Sequence, residues 1–265
     1  MRVLVNEIST WDGAKTGVGY YTSGLVTGLE ARSDLEVAHY PPAWLGLTLA
    51  GWKRSWRAIS VSRNPKSEIR NPKSGTCSDF GFRISDFGFS ETAASPSLRH
   101  RLLQRHFERF CRRGRFDLYH EPNFIPFACD LPAVVTIHDL SVLLHPQWHP
   151  AERVRHYEQR FHRGLAACAH VLTVSEFTRR EVITALGQPP ERVTRVYNGV
   201  RPSMTPLAAG TVRRALRRLG LPPRYLLHVG TIEPRKNLLM LLRAYSTLPV
   251  AVRESCPLVL AGGWG

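Results

Sequence analysis

The sequence predicts an α/β fold: a Rossmann-like, doubly wound parallel sheet, followed by the start of a second domain of the same kind. Two observations carry this. Short apolar runs alternate along the chain with stretches of helical periodicity, as strands joined by crossover helices do. The clearest such run, residues 226–229, is bounded by Gly230 and Pro234, the mark of a strand buried in a parallel sheet.

Taken in order, residues 1–6 (MRVLVN) form a strand and residues 13–19 (GAKTGVG) a glycine-rich turn, with a helix over 20–30. Strand, glycine loop and helix open a doubly wound domain, and glycine lets backbone approach a ligand closely. The match to G-x-G-x-x-G is poor, and a plain tight turn fits as well. Residues 35–40 read as a second strand. Residues 62–97 do not fit. Asn64-Pro65-Lys66-Ser67 recurs at 71–74 and Asp79-Phe80-Gly81-Phe82 at 86–89, without helical or strand periodicity. One permitted codon choice for residues 68–74 (EIRNPKS), read on the opposite strand, encodes GFRISDF, which is residues 81–87. The segment reads as a translated inverted DNA repeat and is expected to be a disordered surface loop.

Residues 98–116 return to helical periodicity, with Leu98, Leu102, Leu103, Phe107 and Phe110 on one face and seven arginines against one glutamate over the segment. A core-packing helix with a solvated cationic face is the first reading, and attraction to an anionic surface the second. Strands follow at 117–120, 133–137, 170–174 and 192–197, with helices at 152–168 and 176–186, the latter capped by Ser175. Asn198-Gly199 is a turn pair. The Pro-rich stretch 200–209 marks the domain boundary: an N-terminal domain over 1–200, a linker and lead-in helix over 201–223, and a second domain over 224–265. A second α/β domain needs about 100 residues, so it is expected to be incomplete. Beyond the strand at 226–229, Pro234 opens a helix and Arg235 and Lys236 stand at its mouth, with Leu238, Leu239, Leu242 and Ala244 as its apolar face. Free N–H groups beside two cations suit a phosphorylated ligand. The same pattern also fits a helix start with a solvated basic pair.

The chain carries 36 Lys+Arg against 21 Asp+Glu, a formal net charge of +15, which suits anionic partners. Nucleic acid is one such partner, but the aromatics do not interleave with the basic residues, and neither helix-turn-helix nor zinc spacing occurs. A nicotinamide-dependent dehydrogenase is disfavoured by the poor glycine fingerprint. The five cysteines are odd in number and form no C-x-x-C pair, as in reduced intracellular proteins. No run approaches the roughly 20 apolar residues of a membrane span, and the chain begins directly in a strand. A cytoplasmic protein is expected, in peripheral contact with an anionic membrane at most.

The stretches Thr16-Gly17-Val18-Gly19-Tyr20, Tyr119-His120, Thr136-Ile137-His138-Asp139-Leu140, Thr173-Val174-Ser175-Glu176-Phe177, Val196-Tyr197-Asn198-Gly199-Val200 and Val229 to Asn237 (VGTIEPRKN) occur in an order that resembles family 4 glycosyltransferases of the GT-B fold, often described as glycosyl transferases group 1. The resemblance covers nearly the whole chain apart from the insert. It implies two Rossmann-like domains facing a cleft, the first receiving a glycan or lipid-linked acceptor and the second holding a nucleotide-diphosphate sugar. It further implies transfer with retention of configuration, without a tightly bound metal or other cofactor.

By this resemblance Arg235 and Lys236 neutralise the departing diphosphate. His138 stands near the sugar and acceptor, and Gly17, Gly19, Asn198, Gly230, Thr231 and Glu233 fall on the donor side. Many relatives carry an arginine where this chain has Thr231, which leaves more of the charge to Arg235 or Lys236. From the residues alone, His138 ends a strand where open sheets bind ligands, with Asp139 beside it to orient or charge the ring, or it is a capping histidine satisfied by backbone. His120, Ser175 and Glu176 are further candidates at strand ends, Ser175 first of all as a cap. The family's later pair of donor-gripping glutamates has no counterpart here, so the chain is expected to be a fragment with impaired donor binding and turnover.

Overall fold

A computed structural model describes residues 1–10, 17–42, 98–201 and 203–263. The repeat-bearing segment 62–97 and residues 13–16 of the glycine loop, with the expectations attached to them, lie outside the described residues. The chain falls into two compact units, Met1–Gly199 and Val200–Gly265.

In the first unit, strands β1 (Arg2–Asn6), β2 (Glu36–Tyr40), β3 (Leu118–Glu121), β4 (Ala133–Ile137), β5 (His170–Thr173) and β6 (Val193–Arg195) form one parallel sheet in the order β2-β1-β3-β4-β5-β6. Strand alternation sends Val3 and Val5 to one face and Leu4 to the other. On the first face, Val3 and Val5 pack with Val26, Leu25 and Leu29 of helix α1 (Gly17–Glu30). On the second, Leu4, Tyr119, Val135, Ile137 and Val171 pack beneath helix α2 (Leu98–Gly114). Helices α4 (Ala151–Glu158), α5 (Phe161–Ala166) and α6 (Glu176–Leu186) add to that second core, and α3 (Ser141–Leu144) follows β4. The chain leaves β1 through α1 toward β2 and returns through α2 to β3 on the other side of β1. The strand order therefore reverses between β1 and β3. Ligands of open α/β sheets bind at the carboxyl ends of the strands at such a reversal.

Several elements depart from the sequence reading. Gly17 and Gly19 stand in the first turn of α1 rather than in a preceding loop. Neither has a left-handed φ, and Val18 already lies in the helix, its carbonyl accepting from the Thr22 hydroxyl at 3.0 Å. On α2, Phe107 is fully buried and Cys111 nearly so, whereas Leu102 is 57% exposed. The buried stripe thus runs through Leu103, Phe107 and Cys111, one helical turn apart. The helix expected over 152–168 is two helices, broken at Gln159 and Arg160. The second presents Phe161 and Leu165 to the core, and its Gly164 approaches Pro126, where a Cβ would lie 3.0 Å from Cδ. Strand β6 ends at Arg195 because its partner β5 ends at Thr173; one further bond, Val196 N to Thr173 O at 2.8 Å, closes the ladder. Asn198 and Gly199 follow as an exposed stretch without regular structure and form no turn.

The second unit contains α7 (Ala209–Leu219), β7 (Leu226–Val229), α8 (Leu238–Ser246), α9 (Val250–Ser255) and β8 (Leu258–Ala261). Strands β7 and β8 pair in parallel, and the described residues of this unit add no third strand. The apolar run expected to be buried is therefore exposed, Leu227 by 53% and Val229 by 72%. On α8 the covered face is Leu238, Leu241 and Tyr245; Leu239, Leu242 and Ala244 are exposed. The Tyr245 hydroxyl lies 3.0 Å from the Arg253 carbonyl and ties α8 to α9.

Candidate functional site

The carboxyl ends of β1, β3 and β4 bring together Asn6, His120, Glu121 and His138, with Tyr21 reaching in from α1. Each polar group is there because its strand ends at the reversal point of the sheet.

His138 is half-buried just beyond β4. Its Nε2 lies 2.9 Å from the Pro122 carbonyl. A carbonyl only accepts, so Nε2 carries the proton and Nδ1 is left bare. Burial pushes the imidazole below the ordinary histidine range, against the smaller opposing effects of the Pro122 carbonyl and the Asp139 charge. The neutral ring lies edge-on to Tyr21 at 4.9 Å and against Phe124 at 5.5 Å. Its Nδ1 meets no partner among the described residues and can accept a proton or a hydrogen bond. Asp139 does not orient this ring. Its Oδ1 accepts from the Ser141 N–H at 2.9 Å and the Ser141 hydroxyl at 2.7 Å, tying down the start of α3. Short acidic side chains prefer such local backbone bonds over longer reaches.

His120 faces the α1 side and is buried, with Nε2 2.9 Å from the Thr136 hydroxyl, which also meets the Tyr21 hydroxyl at 3.1 Å. Burial pushes His120 down to about 4. Glu121 faces the opposite core and is buried too. It accepts from the Tyr119 hydroxyl at 2.6 Å, Asn6 Nδ2 at 2.5 Å and the Asn123 N–H at 3.0 Å. Burial raises its carboxyl to about 7, and the three donors only partly offset this. Ser175 caps α6, accepting from the Thr178 N–H at 3.0 Å. Glu176 is engaged by Arg179, Arg180 and Arg195 at 3.3 to 3.6 Å, so it is no free carboxylate.

In the second unit, β7 opens into Gly230 with φ 157°, and the Gly230 N–H bonds the Ala261 carbonyl at 3.0 Å. Gly262 comes so close that a Cβ there would stand 1.9 Å from the Gly230 carbonyl oxygen. Thr231 is exposed. Pro234–Lys236 is a 3-10 turn, and Asn237, left-handed at φ 52°, separates it from α8. Arg235 and Lys236 thus precede the helix rather than sit in its first turn. A left-handed residue cannot continue a right-handed helix, and Asn is one of the few that tolerate it. Arg235 Nη2 is bound to Glu233 Oε1 at 2.6 Å, both partly buried. Lys236 is exposed and pairs with no carboxylate among the described residues.

A cavity lined by Glu108, Cys111, Arg112, Cys129 and Asp130 lies where α2 ends and β4 has yet to begin, at the opposite edge of the sheet from the strand exits. Among the described residues no His, Cys, Asp or Glu cluster has the make-up of a metal site, and no helix is long and apolar enough to cross a membrane.

Sequence reasoning passed over Asn6, Tyr21, Glu121 and Thr136. The signal for Glu121 lay in Tyr119-His120-Glu121, three successive polar-tipped residues closing an otherwise apolar sheet. Residues 79–204 match the model of the family described as Glycosyltransferase Family 4. The chain is 37% identical over 151 residues to the Escherichia coli O-antigen chain mannosyltransferase B, covering 56% of this chain and 39% of that protein. An Escherichia coli serotype-specific mannosyltransferase WbdA is 27% identical over 139 residues, covering 51% of this chain and 17% of that protein. The chain thus spans well under half the length of these relatives. Among solved structures, Anabaena Alr3699/HepE in complex with UDP has a TM-score of 0.53 at 13% identity, covering 100% of this chain and 61% of that one, and its complex with UDP-glucose gives 0.53 at 14%, covering 99% and 61%. These likenesses show the fold.

Proposed function

Because residues 79–204 match the model of Glycosyltransferase Family 4, we propose that this chain belongs to a glycosyltransferase that moves a mannose- or glucose-like sugar from a nucleotide-diphosphate donor to a lipid-linked or polysaccharide acceptor, with retention of configuration. The supporting observation is that the matched segment contains the polar strand exits of His120, Glu121 and His138. The mannosyltransferase names of the relatives favour mannose, and the UDP complexes of the structural neighbours favour a nucleotide-sugar donor.

In this reading the first unit receives the acceptor at the reversal of its sheet, beside His138. The neutral imidazole offers Nδ1 to a sugar or acceptor hydroxyl. The second unit grips the donor diphosphate at the exit of β7. Lys236 supplies the free charge there. Arg235, held by Glu233, adds a fixed guanidinium, so that cations rather than a resident metal stabilise the leaving diphosphate. Gly17 and Gly19 stand in the first turn of α1, and the positive end of that helix dipole suits the phosphate of a nucleotide sugar. The cationic face of α2 attracts an anionic membrane surface.

Saturation-transfer NMR tests this on the chain itself, since it reads weak complexes. GDP-mannose and UDP-glucose are titrated, followed by a lipid-linked glycan acceptor with product analysis. Signal from a nucleotide sugar that Lys236→Ala weakens supports the proposal. Binding to neither donor, or binding that Lys236→Ala leaves unchanged, overturns it.

A further inference from the structure

The turn that joins β3 to β4 touches His138 twice, and Glu121 holds that turn from beneath. Glu121 Oε1 accepts the Asn123 N–H at 3.0 Å, while Oε2 is fixed by the Tyr119 hydroxyl at 2.6 Å and Asn6 Nδ2 at 2.5 Å. Between Glu121 and Asn123 stands Pro122, whose carbonyl takes the His138 Nε2–H at 2.9 Å. Phe124 follows in the left-handed region at φ 63°, its N–H on the Thr136 carbonyl at 3.1 Å and its ring against the imidazole. A bulky residue in that region is strained and persists only where neighbours determine it. We propose that Glu121 is the positioning residue of His138: by fixing the Asn123 N–H it aims the Pro122 carbonyl at Nε2, and so sets the tautomer that leaves Nδ1 bare.

The chemistry favours a carboxylate in this place. All three partners of Glu121 are donors, and only an ionised carboxylate is acceptor-only. The groups facing it are Tyr119 on its own strand, Asn6 on β1, Asn123 in the turn, Tyr157 on α4 and Cys168 beyond α5, and no cation pairs with it among the described residues. The clamp therefore lacks the counter-charge that would hold it ionised at every pH. Its carboxyl titrates near 7, and protonation turns one acceptor oxygen into a donor that faces donors.

The meaning of the bare Nδ1 for catalysis rests on the glycosyltransferase reading; the positioning itself does not. The test therefore reads the ring rather than turnover. In the 15N-histidine-labelled full chain, two-bond 1H–15N spectra are expected to show His138 as a single Nε2–H tautomer. In Glu121→Gln they are expected to show averaging of the two ring nitrogens, with the imidazole titrating nearer its ordinary value. A Glu121→Gln variant that unfolds like wild type and keeps the His138 ring shifts and titration unchanged overturns the proposal. A second measurement needs no variant. In wild type, the Glu121 carboxyl 13C signal and the His138 ring 15N signals should step together near pH 7, and a Glu121 titration that leaves His138 still overturns it. Absence of sugar transfer together with the expected NMR result would sink only the functional reading.

Discussion

The exits of β4 and β7 are written alike in the sequence: an apolar strand, a polar or glycine-bearing break, then a helix. They are packed quite differently. β4 lies inside a six-stranded sheet with Val135 and Ile137 fully buried, and its exit residue is locked by a backbone carbonyl. Among the described residues β7 has one strand neighbour, exposes Leu227 and Val229, and opens into a turn whose side-chain ion pair is Arg235 with Glu233. The lesson is that a strand pattern specifies pairing and direction, whereas the rigidity of a site at its end comes from how many layers close over it.

The largest expected contrast is in core truncation. Phe107→Ala removes a fully buried ring that meets Tyr40, Tyr119 and Phe127 and should cost about 3–5 kcal/mol. Leu239→Ala on α8, 60% exposed, should stay within about 0.5 kcal/mol. Urea unfolding followed by backbone circular dichroism measures both. Equal losses would mean that the second unit is as firmly packed as the first.

The next contrast lies within the first unit, between neighbours on opposite faces of β3. His120 is held below its ordinary value, at about 4, so the native state binds fewer protons there, and its stabilisation is lost as pH falls from about 6.5 toward 4. Glu121 is held above its ordinary value, at about 7, so the native state binds more protons there, and stability is lost as pH rises from 4.5 toward 7. Each is of order 3 kcal/mol over its window, and the two oppose one another. Wild type should therefore show a nearly flat contribution between pH 4.5 and 6.5. Glu121→Gln should unmask a loss of stability on acidification, and His120→Gln a loss on raising the pH. Chemical unfolding across that range checks both signs.

Two glycines read alike from the sequence separate the units again. Gly230 has φ 157°, a backbone conformation that side-chain-bearing residues rarely adopt, although a Cβ there would only meet His228 Nε2 in ordinary contact at 3.4 Å. Gly230→Ala should cost about 1–3 kcal/mol. Gly17 is the first residue of α1, and among the described residues nothing lies within 4 Å of where a Cβ would stand, so Gly17→Ala should gain a few tenths of a kcal/mol of folding stability, up to about 0.5 kcal/mol. If Gly17 faces donor phosphate as proposed, the same substitution should weaken nucleotide-sugar binding while raising the midpoint of thermal unfolding.

How far the sequence reads follows from the same physics. The strands at 133–137 and 226–229 were legible to the residue, because apolar runs between breakers are local signals. So was the Ser175 cap, a bond between residues three apart. The break at Gln159 and Arg160 was not legible, because it depends on where the core lies relative to Phe161 and on Pro126 meeting Gly164. Glu121 was not legible as a clamp, because its partner Asn6 is 115 positions away. Asp139 was half legible: its charge does act on the adjacent imidazole, but a contact two residues on, with Ser141, took the bond that would have oriented the ring.

The smallest contrast is at the helix starts that follow β5 and β7. Ser175 accepts the Thr178 N–H at 3.0 Å in extended geometry, and Ser175→Ala should cost about 1 kcal/mol by leaving an orphan donor at the start of α6. Asn237 occupies the corresponding place before α8 but makes no side-chain cap bond, and its φ of 52° is the costly feature. Asn237→Gly should therefore be neutral or stabilising by a few tenths of a kcal/mol, the reverse of what a capping side chain would give. If Asn237→Gly instead lost as much as Ser175→Ala, the side chain would be holding the turn that carries Arg235 and Lys236. The β7 exit would then be locked by a side chain, much as the β4 exit is locked by a carbonyl. Thermal unfolding of the two variants side by side decides between these.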